Sequence, residues 1–179
     1  YGEDGAGTVS SVYALSISSS GVDSGLDDIA TGNDVFLLLE SGVVVGREGS
    51  ATGEIVFTTS VDSSSGVVTL DQLQAVEHDD STDPDEASSP AQLSAANLLT
   101  LTRTDTITDK DGDSNTGSAT LDIGTTLNFE DDGPAIVVTA LGVGSDKLVV
   151  DETDLPLNDT SDFSDNFSNA PDYGEDGSG

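Results

Sequence analysis

The chain has 179 residues, of which 35 are Asp or Glu and only four are Lys or Arg, for a formal net charge of −31. This balance excludes the Lys/Arg surface that nucleic-acid phosphates require, and the absence of Cys excludes disulfides and Cys-based zinc sites. One His cannot supply a His-rich metal site, and the longest clear apolar run, residues 35–39, falls far short of the roughly 18 residues of a membrane helix.

Taken along the chain, residues 12–17 alternate, with Tyr13, Leu15 and Ile17 on one face. Residues 34–40 form a continuous apolar strand suited to a sandwich core. Residues 42–46 and 53–61 follow, the second alternating Ile55 and Phe57 with polar partners. Residues 67–70 lead into 69–75, the one segment that could hold a short helix. Residues 98–108 are the longest strand candidate, and 118–123 and 126–129 come next. Residues 135–140 and 147–150 close the series. Two acidic stretches read as loops: 77–86, around His78, and 158–172, where Phe163 and Phe167 are expected to anchor the segment to the sandwich. No stretch sustains a 3.6-residue period over ten residues. Short β-rich segments separated by Gly, Ser, Asn and Asp point to an all-β fold. The expected form is an antiparallel Ig-like or cadherin-like β-sandwich, calcium-stabilised, with at most one short helix near residues 70–76.

Calcium enters through composition. Apolar residues make up 34% of the chain, against roughly 45–50% in ordinary domains by a count that includes Gly. Low hydrophobicity with high net charge is a signature of disorder. Yet runs such as VFLLL and IVVTAL are strand-like. A β domain that folds once its carboxylates are neutralised reconciles the two. Asp-rich, oxygen-rich chemistry suits Ca²⁺, a hard cation taking 6–8 oxygen ligands.

Tyr1-Gly2-Glu3-Asp4-Gly5 recurs as Tyr173-Gly174-Glu175-Asp176-Gly177, 172 positions later. This reads as the edge of a tandem unit, far longer than a solenoid repeat. Residues 1–133 are expected to be the β-sandwich repeat unit. Residues 134–179 are expected to be a connecting segment and the start of the next unit, and whether they pack on the same sandwich is left open. No signal peptide is read, as expected of an internal unit.

The strongest local signal is Asp109-Lys110-Asp111-Gly112-Asp113-Ser114-Asn115. Three carboxylates at alternate positions, with Gly allowing the chain to curl, can converge on one cation, with main-chain carbonyls and water completing its shell. The EF-hand pattern fails here. Counting from Asp109, position twelve is Thr120, which cannot chelate through two oxygens; counting from Asp111, position six is Thr116 where Gly is needed. The loop is therefore placed in a β-hairpin between 98–108 and 118–123. Further candidate metal ligands are Glu130, Asp131 and Asp132 before Gly133-Pro134, then Asp151, Glu152 and Asp154 after an apolar run, and Glu3 and Asp4 at the repeated terminal motif. Acidic clusters at module ends suit calcium bridges between neighbours. Thr100, Thr102, Thr104, Thr106 and Thr108 alternate without a break, but only this strand is seen to carry such a ladder, so it reads as a solvent-facing strand rather than an ice-binding plane. Catalysis is poorly supported: His78 lies in an acidic loop with no Ser-centred motif, and sugar-binding aromatics are few.

In order, GVDSGLDD (residues 21–28), TLDQLQAVEH (69–78), TDKDGD (108–113) and FEDDGP (129–134) give the chain, over roughly residues 2 to 136, a resemblance. It resembles the tandem repeat family of type I secreted bacterial RTX adhesins. The tail from LVVDETDL through PDYGEDG looks like the connecting stretch such repeats share. The resemblance implies calcium-stabilised β-sandwich extenders in a giant surface protein, projecting ligand-binding domains from the cell. It also implies metal roles for Asp109, Asp111 and Asp113 and for Glu130, Asp131 and Asp132. The expected partners are neighbouring copies of the same repeat, with no nucleic acid and no membrane insertion, and the isolated unit is expected to be monomeric. The expected location is extracellular, at the bacterial cell surface. The competing class is a calcium-dependent ligand-binding module, lectin-like or protein-binding; a weaker third is a calcium buffer or matrix protein.

Overall fold

The computed structural model describes residues 5–80 and 87–174. The chain divides into two compact units, Tyr1–Asp131 and Asp132–Gly179.

In the first unit, β2 (Val22–Asp28), β3 (Asn33–Glu40), β4 (Val43–Glu48), β5 (Ile55–Val61) and β6 (Val68–Gln72) form a five-stranded antiparallel meander. A second sheet has the order β1 (Ala6–Ile17), β7 (Leu99–Asp109), β8 (Ser114–Asp122), also antiparallel. The core lies between them. Leu15 and Leu99 from the three-stranded sheet meet Leu26, Val35, Leu37, Val44, Val56 and Phe57 from the five-stranded one. Val76, Leu93, Ile123, Leu127 and Phe129 from the connections fill the remainder. Phe57 and Phe129 make a tilted ring pair at 5.1 Å and 59°. The all-β sandwich expected from the sequence is what is found.

Strand alternation explains which side chains turn inward. On β7, Leu99 is fully buried and Leu101 packs on the core. Farther along the same face, Arg103 and Asp105 form a 2.8 Å ion pair at the surface, so the strand runs out of the core. Gly46 on β4 is required by close approach: a Cβ there would strike the Phe57 ring.

Several expected elements differ. Residues 69–75 hold no helix: β6 takes 69–72, because its backbone pairs with β5 from Val61↔Val68 to Phe57↔Gln72. Residues 126–129 are not a strand; a single 3-10 turn at Gly124–Thr126 precedes an isolated bridge between Ala91 and Phe129. The strand β2, unread in the sequence, carries a register irregularity between Asp23 and Asp27, where the Asp23 side chain accepts the Gly25 N–H. The hydroxyl ladder of β7 is not alone. Thr108, Thr106, Thr104 and Thr102 pair with Ser114, Thr116, Ser118 and Thr120 on β8, and Thr8, Ser10 and Ser16 line the other side.

The second unit holds a two-stranded antiparallel ribbon, β9 (Ala135–Ala140) with β10 (Phe167–Asp172). Two one-turn 3-10 segments lie between them, Glu152–Asp154 and Ser164–Asn166. Residues 147–150 are not a strand. Within the supposed loop 158–172, β10 is a strand, and Phe167, expected to be an anchor, opens it with 56% of its surface exposed.

Candidate metal centre

The β7–β8 hairpin turns over Asp109-Lys110-Asp111-Gly112-Asp113. The Asp109 N–H donates to the Asp113 carbonyl at 2.9 Å, which closes the turn. The Asp109 Oδ1 accepts the Asp113 N–H at 2.9 Å and the Gly112 N–H at 3.2 Å. Gly112 has φ of 104°, a conformation that side-chain-bearing residues rarely adopt. Below the turn, the Thr108 and Ser114 hydroxyls are 2.8 Å apart. This curl brings one carboxylate oxygen from each of Asp109, Asp111 and Asp113 within 4.8 Å of one another.

Three carboxylates and one Lys leave the turn strongly negative. A side-chain hydrogen bond with Asp111, helped by the backbone N–H groups of the turn, holds the Asp109 carboxyl below its usual range. All the donors are hard oxygens, and the turn is open to water, so these three aspartates could hold a metal ion.

The other sequence candidates are placed differently. Glu130 and Asp131 end the first unit, just after the buried Phe129, and Asp132 opens the second. Asp151 caps a 3-10 turn: its Oδ1 accepts the Thr153 N–H at 2.8 Å and the Thr153 hydroxyl at 2.7 Å, which holds its carboxyl below the usual range. Glu152 and Asp154 lie within that turn. Among the described residues, no three of Glu130, Asp131, Asp132, Asp151, Glu152 and Asp154 converge as the hairpin aspartates do. Glu3 and Asp4 lie outside the described residues.

The chain matches, over residues 1–124, the family described as a domain of unknown function (DUF5801). The chain belongs to the DUF5801 family. The match includes the whole β7–β8 hairpin, so the three-aspartate turn is part of the DUF5801 domain, whereas Glu130 to Asp132 and Asp151 to Asp154 lie beyond it. No curated protein sequence and no solved structure matches the chain.

A second acidic region of the DUF5801 domain was given no role by sequence reasoning. Asp27 on β2 stands directly opposite Asp34 on β3. Burial, and then the Asp34 charge, push the Asp27 carboxyl above its usual range, with Glu77 and Asp23 adding to the effect. Beside it lies a pocket of about 430 Å³, lined among others by Leu26, Asp27, Glu77, Asp79 and Pro90. The signal was present in GVDSGLDD, but the second carboxylate comes from the next strand and no local spacing reveals it.

Proposed function

We propose that the chain is a calcium-dependent structural extender repeat of a giant secreted bacterial surface adhesin, folding and stiffening on extracellular Ca²⁺ to project ligand-binding domains from the cell. The observation that carries this reading is the three-aspartate hairpin turn, an all-oxygen cluster on an acidic β-sandwich. Extracellular modules of this chemistry bind calcium at roughly 10⁻⁴–10⁻³ M. Where calcium is scarce, as in a cytosol, the carboxylates repel one another and the poorly apolar chain stays unfolded, which suits export. Outside, the ions neutralise the carboxylates. The repeated Tyr-Gly-Glu-Asp-Gly motif supports a tandem array, with neighbouring copies of the same repeat as partners. The reading assigns no catalysis.

Small-angle scattering on a chain of several consecutive units tests this. The expected result is a long, rigid particle in calcium and a flexible, disordered one in chelator. Identical scattering curves would remove the reading. The competing reading, a calcium-dependent ligand-binding module, draws on the acidic pocket beside Asp27. A reproducible calcium-dependent hit on a glycan array would favour it.

A further inference from the structure

A separate oxygen cluster sits where β2 passes to β3 beside the end of β4. Asp28, the last residue of β2, is fully buried. Its Oδ2 accepts the Thr31 N–H at 2.9 Å and lies 2.7 Å from the Thr31 hydroxyl. Its Oδ1 is buried and has no hydrogen-bond partner among the described residues. Glu48, the last residue of β4, places its Oε2 3.1 Å from the same Thr31 hydroxyl and accepts the Asn33 side-chain amide at 2.7 Å.

A threonine hydroxyl carries one proton. Held between two carboxylates, it can donate to only one, so the other contact sets oxygen lone pairs against each other. A buried carboxylate with an unmatched oxygen is costly unless a positive partner compensates it. The arginine next to Glu48 does not serve: Arg47 binds Glu40 at 2.8 Å and the Gly53 carbonyl at 2.8 Å. Arg103 is engaged with Asp105 and Ser11. The donors that converge here, two carboxylates and a hydroxyl, are all hard oxygens, the set that calcium prefers. Asp28 forms the buried floor, while Thr31 is exposed and Glu48 half-buried, so the cluster opens to solvent.

We propose that Asp28, Thr31 and Glu48 form a calcium site inside the sandwich, separate from the hairpin turn, that ties the β2–β3 turn to the end of β4. The ion relieves the crowded oxygens and fixes β2, an edge strand with an irregular register.

The test uses calorimetric calcium titration of the full chain carrying Asp109→Asn, Asp111→Asn and Asp113→Asn, which removes the hairpin ligands. This background is expected to retain a calcium site. Adding Glu48→Gln should weaken that site by roughly tenfold or more, and Thr31→Val should weaken it too. In chelator, Glu48→Gln should melt no lower than its parent, since a repulsion has been removed. If Glu48 matters only for its hydrogen bond to Asn33, Glu48→Gln will melt lower in chelator and leave calcium affinity unchanged; that result overturns the proposal. So does a hairpin-deficient background that binds no calcium, or one that binds Mg²⁺ as tightly as Ca²⁺. None of these outcomes depends on whether the array stiffens, so failure of the extender reading would be seen separately.

Discussion

Replacing Phe129 with Ala perturbs the sandwich where its last strand connection closes the core. Phe129 is 1% exposed and Phe57 is fully buried, with ring centroids 5.1 Å apart at a tilt of 59°. The backbone N–H and carbonyl of Phe129 both bond to Ala91, at 3.0 and 2.9 Å, so the ring is held in place from a fixed chain position. Truncating a buried Phe costs about 3–5 kcal/mol, from lost transfer energy and the cavity left behind. About 0.5–1.5 kcal/mol of that is the ring pair itself. Phe129→Leu keeps most of the volume and should cost less than about 1.5 kcal/mol. For a unit of this size, 1 kcal/mol corresponds to roughly 4 °C. Calorimetric melts in saturating calcium should therefore fall by roughly 12–20 °C for Phe129→Ala and by less than about 6 °C for Phe129→Leu. The nearby solvent-exposed substitution Thr125→Ser should change little. A fall below about 4 °C for Phe129→Ala would refute the placement of this ring in the core.

Two other substitutions probe the local physics. Gly46→Ala drives a methyl group into the Phe57 ring, and chemical denaturation should show a loss of about 1–3 kcal/mol from overpacking. Asp62 Oδ1 accepts hydrogen bonds from the backbone and hydroxyl groups of both Ser64 and Ser65, which hold its carboxyl far below the usual range. Stability from a depressed carboxyl is full above its unfolded value of about 3.9 and is lost as pH falls toward the folded value. Asp62→Asn should therefore melt lower than its parent at pH 7, and the gap should narrow as pH drops below about 4.

Much of the fold was legible because burial writes itself as apolar runs. Residues 34–40 and 135–140 were placed within a residue of their observed ends, since VFLLL and IVV admit few alternatives. The strands that escaped the reading, in whole or in part, share a cause. The strands β2, β8 and β10 are rich in Gly, Ser, Asn and Asp, and partners impose their pairing. β10, with Pro171 near its end, is extended because it registers with β9 from Phe167↔Ala140 to Asp172↔Ala135; a two-stranded ribbon tolerates Pro at such a position. β8 begins four residues earlier than its apolar content suggests, since Ser114 already pairs with Thr108. That early start adds Ser114 and Thr116 to the hydroxyl ladder.

The same division governs the sites. Asp109, Asp111 and Asp113 alternate within one turn, so sequence spacing alone exposes them. Asp28 and Glu48 are brought together by the β3–β4 pairing, in which Val35 faces Glu48, and by the turn that carries Thr31. Chain separation hides such a pair. Asp151, a candidate ligand because of its place in an acidic run, also caps a 3-10 turn through its carboxylate.

The central claim is that calcium supplies stability this acidic chain lacks. Thermal melts of the unaltered chain in millimolar calcium and in chelator test it most directly. A site with the roughly 10⁻⁴–10⁻³ M affinity of extracellular modules, binding only the native state, adds about 0.4–1.4 kcal/mol at about 1 mM ion, or roughly 2–6 °C at this size. The account predicts a rise of at least that amount in calcium, larger if more than one site fills. Equal melting temperatures in calcium and in chelator would contradict it.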